Sequence, residues 1–180
     1  MCERSLGVSV FYPDLYLKSI TGLTPALLKR WGIRGLILDV DNTLTTHDNP
    51  RPDPGVLLWL KAMREHHIEM AILSNNSPQR IKPFAKELRM GFIANAKKPL
   101  ASGFERAAAK LRLQRDKIAV VGDQIFTDIL GGNLWGAKTV LVKPIQPETT
   151  RLFRLKRRLE RDVILRLYGA GKLPKEGHCG

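Results

Sequence analysis

Short apolar runs alternate with longer amphipathic stretches along most of this chain. Leu36-Ile37-Leu38 leads into Asp39, and the segment 35–39 reads as a buried parallel strand because its apolar positions are continuous rather than alternating. Comparable runs recur over 68–73, 92–94, 117–121 and 139–142. Between them the spacing becomes helical. Thr24 and Pro25 read as an N-cap and first helical residue, with the helix continuing to about Trp31 and stopping at Gly32. Further helices are predicted over 54–66, from Pro78 to near Gly91, over 99–112 and near 126–135. Residues 11–22 open on Phe-Tyr-Pro and read as an irregular lead-in, and Asn49 to Gly55 form a proline-rich loop. Strands alternating with helices predict an α/β fold: a three-layer, Rossmann-like parallel sheet with right-handed crossovers.

The last stretch departs from this pattern. Residues 148–180 hold nine Lys or Arg and four acids, a charge of +5 that leaves +8 of the chain's +13 for the rest. The organisation read from this is a domain over 1–146, with its lead-in helix, followed by a basic helix and tail over 147–180. At about 100° per residue, Leu152, Leu155, Leu159, Val163 and Leu167 share a stripe, with Arg151, Arg154, Arg157, Arg158 and Arg161 gathered on the other side. Such a helix either lies on an anionic membrane surface or packs its stripe on the domain with the arginines solvated. Lys156 and Arg166 intrude on the apolar side and argue against deep insertion. The overall field attracts polyanions without choosing among nucleic acid, membrane and phosphorylated substrates.

Cys2 and Cys179 form no disulfide framework or zinc spacing. No signal-peptide pattern or transmembrane run is legible, so the expected location is cytoplasmic, with the tail offering attachment to the inner face of a membrane. His47, His66, His67 and His178 share no ligand spacing.

Polar residues collect where the predicted strands end. Asp39 and Asp41 follow the first, and Ser74, Asn75 and Asn76 the second. Lys97 and Lys98 follow the third, and Asp123 and Asp128 the fourth. The carboxyl edge of a parallel sheet is where ligands bind. Two carboxylates placed there repel each other and call for a cation. A carboxylate can also attack phosphorus. These are the parts of a phosphomonoester hydrolase. Asp39 would be the nucleophile, and Asp41 would protonate the leaving alkoxide and later deprotonate water. Mg²⁺ would be held by Asp39, the backbone carbonyl of Asp41, and Asp123. Ser74 and a lysine would hold phosphate oxygens, with Asn75 a further phosphate contact. Asp128 would orient a metal-bound water or the lysine.

The order Asp39-Val-Asp41-Asn-Thr, Leu73-Ser74-Asn, Lys98-Pro99 and Gly122-Asp123-xxxx-Asp128 resembles the haloacid dehalogenase (HAD) phosphatase superfamily over roughly residues 10–145. Four segments narrow the resemblance to the YqeG-type group of HAD subfamily IIIA. They are Tyr12-Pro-Asp-Leu-Tyr, GIRGLILDVDNTL (32–44), ILSNN (72–76) and GDQIFTDILGGN (122–133). The relatives of that group include phosphatidylglycerophosphate phosphatases of mitochondria and plastids. The resemblance implies a Mg²⁺-dependent phosphatase of Rossmann-like fold and favours Lys98, directly before proline, over Lys97.

Many HAD enzymes carry a cap domain between the first and second motifs or between the second and third. Those gaps are 35 residues (39 to 74) and 24 residues (74 to 98), consumed by ordinary connections, so no cap domain is expected. An open site admits bulky substrates such as lipid headgroups. With the family and the basic tail, this points to the terminal phosphate of phosphatidylglycerophosphate. A soluble phosphate ester or phosphoprotein is the alternative substrate. A nucleic-acid or ribosome-binding role is permitted by the charge but disfavoured by the intact acidic pocket and the lack of an aromatic RNA-stacking platform.

Overall fold

The computed structural model describes residues 9–46, 49 and 51–146. The tail helix expected over 147–180, and with it the second unit of the expected organisation, lies outside the described residues.

Six parallel strands make one sheet: β1 (Leu15–Leu17), β2 (Gly35–Leu38), β3 (Glu69–Leu73), β4 (Gly91–Ile93), β5 (Ile118–Gly122) and β6 (Lys138–Val142), in the order β1-β6-β5-β2-β3-β4. The expected α/β class, with its Rossmann-like parallel sheet, holds. Alternate residues of each strand serve opposite faces. Leu36, Leu38, Met70, Ile72, Ala119 and Val121 join a core with α1 (Pro25–Arg30), α2 (Pro54–Glu65) and α3 (Pro78–Glu87). Ile37, Ala71, Leu73 and Val120 face the other way, toward α4 (Ala101–Leu111) and α5 (Leu130–Trp135). Phe104 of α4 is fully buried there and stacks on Trp135, 5.8 Å between ring centroids.

Local chemistry sets the helix starts. Thr24 accepts a hydrogen bond from the Leu27 N–H at 3.3 Å, and Asp53 from the Gly55 N–H at 2.7 Å, each with proline at the first helical position. The lead-in is not irregular throughout. Leu15–Leu17 add an edge strand parallel to β6. It is pinned by Asp14, which accepts from Lys138 Nζ at 2.7 Å and from the Thr139 N–H at 2.9 Å. Asn133 donates to the Val10 and Tyr12 carbonyls at 2.7 and 2.9 Å. The helix expected near 126–135 begins instead as a π-helical turn over Ile125–Ile129 before α5. Among the described residues no helix is long and apolar enough to cross a membrane.

The topology decides where a ligand can sit. From β2 the chain steps outward to β3 and β4, then returns to place β5 on the other side of β2. A crevice opens at such a reversal, outside the carboxyl ends of the two strands. Asp39 follows β2 and Asp123 follows β5 at that point.

Candidate active site

Asp39 leaves β2 with its N–H donated to the Val121 carbonyl at 2.9 Å, so its backbone is still ladder-paired with β5. Its side chain is buried. Oδ1 accepts from Lys98 Nζ at 2.6 Å, whereas Oδ2 is buried with no hydrogen-bond partner. The same ammonium donates to Asp128 Oδ1 at 2.6 Å. Asp123, also buried, completes the group: one carboxylate oxygen from each of Asp39, Asp123 and Asp128 lies within 4.8 Å of the others.

Asp128 reaches back from the π-helical turn. Its N–H donates to the Gln124 carbonyl at 3.0 Å, and its Oδ2 accepts from the Gln124 N–H at 3.2 Å. Single π turns recur at functional sites because the extra residue re-aims a side chain. Here the fold-back is close enough that a Cβ on Gly122 would overlap the Asp128 carboxyl group, so glycine is required at the end of β5.

Ser74 is buried at the end of β3, its N–H donated to the Ile93 carbonyl at 3.0 Å. Its Oγ accepts from the Asn76 N–H at 3.2 Å, and its hydroxyl hydrogen has no acceptor among the described residues. Asn75 was expected on phosphate. It spends its amide on the backbone of Lys98, accepting from the N–H at 2.7 Å and donating to the carbonyl at 3.2 Å. It therefore fixes the loop that carries the lysine. Of the two lysines, Lys98 enters the buried cluster, and Lys97 is exposed with a left-handed backbone, φ 57°.

Asp41 stands apart from the three clustered carboxylates. Its Oδ1 accepts from Arg80 Nη2 at 2.6 Å, and its Oδ2 accepts from the Asn76 amide. The carboxylate is thus held by an ion pair with Arg80 and an amide of Asn76. Sequence reasoning missed Arg80 and placed Asn76 at the strand end without giving it a role. One signal was available: Arg80 is in the first turn of α3, where a cation opposes the helix dipole and calls for a nearby carboxylate.

The electrostatics follow from this placement. Burial raises the Asp39 carboxyl, Lys98 opposes that rise, and Asp128 adds to it, leaving the group near about 6. Burial alone would lower Lys98, but Asp128 and Asp39 outweigh it and hold the ammonium protonated, above its ordinary value. Counting Asp39, Asp123, Asp128 and Lys98 alone, three buried carboxylates against one ammonium leave an excess of two negative charges when all are ionised. Burying such an excess is costly without a counter-ion. A divalent cation held by oxygen ligands matches both the charge and the donor type. The residues present therefore fit a divalent cation.

The chain is similar to known proteins of one family. A family model for haloacid dehalogenase-like hydrolases matches residues 36–136. The chain is 38% identical over 166 residues to the "Probable phosphatase YqeG" of Bacillus subtilis (strain 168), covering 92% of this chain and 96% of that protein. It is 29% identical over 175 residues to "Phosphatidylglycerophosphate phosphatase 1, chloroplastic/mitochondrial" of Arabidopsis thaliana, covering 90% of this chain but 49% of that protein. The chain thus spans about half the length of this plant relative. A solved structure of an uncharacterized Listeria monocytogenes serotype 4b protein overlays with a TM-score of 0.54 at 17% identity, over 74% of this chain and 98% of that one, a likeness of fold alone. With the matching family model and a relative similar over nearly its whole length, this chain belongs to the haloacid dehalogenase-like hydrolases and is a phosphatase of the YqeG type.

Proposed function

We propose that this phosphatase is a Mg²⁺-dependent phosphomonoester hydrolase that works through an aspartyl-phosphate at Asp39. We further propose that its substrate is phosphatidylglycerophosphate, dephosphorylated in phosphatidylglycerol synthesis. The observation that carries the chemistry is the buried cluster of Asp39, Asp123 and Asp128 around one lysine, with Asp39 Oδ2 left unpartnered.

Asp39 Oδ2 attacks phosphorus, and the bond from phosphorus to the leaving oxygen breaks. Asp41, entering this step in its acid form, gives that oxygen its proton and is left as the carboxylate that Arg80 and Asn76 hold. Water then attacks the phosphorus of the acyl phosphate while Asp41 takes its proton, releasing phosphate and restoring the Asp39 carboxylate. Lys98 and the Ser74 hydroxyl hold the non-bridging oxygens, and Asn75 keeps the Lys98 loop in place. Asp39, Asp123 and the backbone carbonyl of Asp41 would hold the metal, with Asp128 orienting Lys98 or a water. When bound, Mg²⁺ supplies charge neutralisation and polarises a phosphoryl oxygen.

The lipid substrate is supported by the similarity to the plant phosphatidylglycerophosphate phosphatase and by motif spacings of 35 residues (39 to 74) and 24 residues (74 to 98), too small for a cap domain. The basic tail supplies a candidate contact with anionic membrane on the cytoplasmic side. The test is Mg²⁺-dependent phosphate release from phosphatidylglycerophosphate in mixed micelles beside a soluble aryl phosphate, for wild type and Asp39→Asn. Asp39-dependent release from the lipid is the expected result. Release from the aryl phosphate alone would overturn the lipid assignment and favour a soluble ester. Full activity of Asp39→Asn would overturn the nucleophile.

A further inference from the structure

Arg80 carries more donors than the described residues satisfy. Nη2 is spent on Asp41 at 2.6 Å, Nε is buried without an acceptor, and the side chain remains 34% exposed. A guanidinium presents donors in a fork suited to binding two oxygens of an anion at once. Its place on Asp41 matters. Under the proposed function Asp41 protonates the leaving oxygen, so Arg80 stands on the leaving-group side of the site. Lys98 serves the opposite task, deep against Asp39. Arg80 also lines a cavity of about 260 Å³ between α3 and the loop after β2, shared with Val40, Thr45, Ile81 and Phe84. Glu87 lines the same cavity and is exposed near the end of α3. Val40, Ile81 and Phe84 suit a short carbon skeleton, and Glu87, two turns along α3 from Arg80, leaves the Arg80 end as the one that takes an anion.

We infer that Arg80 is a specificity-determining residue that reads a second anionic group, a phosphodiester or an equivalent anion, a few bonds beyond the leaving oxygen. The inference rests on Asp41 acting at the leaving oxygen, as proposed above. One guanidinium edge stays on Asp41 and the rest takes the anion, so the leaving group is held against its proton donor. An ester lacking the second anion leaves those donors unused.

The experiment compares kcat/KM for two alkyl phosphomonoesters, glycerol 3-phosphate and deacylated phosphatidylglycerophosphate, which share a leaving-group type but differ in the second anion. Micellar phosphatidylglycerophosphate is a third arm that separates the soluble headgroup from the lipid. Wild type should prefer the headgroup over glycerol 3-phosphate, and Arg80→Gln should compress that ratio by about 10- to 100-fold, the worth of a charge-assisted bond pair. Arg80→Lys should recover part of it. Because the ratio is taken on one enzyme preparation, a general loss of folded protein cancels. An unchanged ratio in Arg80→Gln, or no wild-type preference, would overturn the inference while leaving the phosphatase reading intact. A wild type that turns over neither ester nor lipid would instead remove the substrate reading on which it rests. A preference that appears only in the micellar arm would also overturn it, because the lipid and not the second anion would then be recognised.

Discussion

Asp39→Asn should make the metal-free protein more stable while destroying its activity. In the wild type the carboxyl is buried, shares Lys98 with Asp128, and sits with Asp123 and Asp128 in a cluster of three carboxylates. Its pKa is raised from 3.8 to about 6, with burial the largest cause. The folded state therefore keeps its proton at pH values where the unfolded chain has lost it. The stabilising effect of protonation is full at low pH and disappears as pH rises from about 4 to about 6, worth about 3 kcal/mol in total. Lys98 does not titrate in that window, because its carboxylate neighbours hold it protonated. Asparagine is nearly isosteric, never ionises, and its amide oxygen can still accept from Lys98. At about pH 7.5 without metal, Asp39→Asn should thus gain up to about 3 kcal/mol, or roughly 6–12 °C in melting temperature for a domain of this size. At about pH 4 the two proteins should melt together. Excess Mg²⁺ should raise the wild-type melting temperature and scarcely move the variant. The assay is thermal melting followed by circular dichroism across pH, in EDTA and then in Mg²⁺. A variant less stable than wild type at neutral pH, or a gap that stays constant between acid and neutral pH, would refute the argument that Asp39 is held there against its own solvation.

Other perturbations test the remaining parts. Lys98→Met leaves the Asp39 and Asp128 carboxylates facing each other without their ammonium; kcat should fall about 10²- to 10³-fold, read with an aryl phosphate, and a fall of less than about 3-fold would sink the phosphate-binding role. Gly122→Ala should cost about 1–3 kcal/mol by overlap with Asp128 and lower activity in parallel, seen as reduced melting temperature and phosphate release together; an unchanged melting temperature would show that the Asp128 fold-back is not fixed. Inorganic phosphate should bind measurably by calorimetry only with Mg²⁺ present, and equal binding in EDTA would contradict the charge balance drawn for the site. Neutralising Arg154, Arg157, Arg158 and Arg161 together should weaken cosedimentation with anionic liposomes, at about 1 kcal/mol per charge near the surface; unchanged cosedimentation would remove the membrane contact.

What could be read from the sequence was what short-range chemistry encodes. Continuous apolar runs located β2, β3 and β5 because strands buried on both faces need no polar alternation. Asp39, Ser74, Lys98 and Asp123 could be placed at one edge because each directly follows or closely trails such a run. Contacts across long separations were not legible. The edge strand Leu15–Leu17 has only three residues, and its anchors, Asp14 to Lys138 and Asn133 to Val10, span more than a hundred positions. Arg80 meets Asp41 across 39 positions, and no local pattern says which carboxylate it will choose. The direction of Asn75 was equally hidden, since an amide at a strand end can face either a ligand or the neighbouring loop. The π-helical turn escaped because its apolar spacing over 125–129 is indistinguishable from the start of an α-helix.

Two electrostatic scales meet at this site, and they have opposite sign. The chain carries +13, so at a distance it attracts phosphorylated molecules. Within the crevice, the described residues place three carboxylates around one ammonium, so a phosphate arriving there meets repulsion. The long-range field is screened over about 8 Å at physiological salt, whereas the buried group is screened much less. Attraction can therefore bring a substrate to the surface but cannot seat it. Seating needs the local excess cancelled by a dication, and the geometry provides the oxygens for one. Asp41 and Arg80 form an ion pair beside that cluster. Under the proposed function this divides the labour: the carboxylate cluster would hold metal and phosphoryl group, and the Asp41–Arg80 pair would deal with the leaving group.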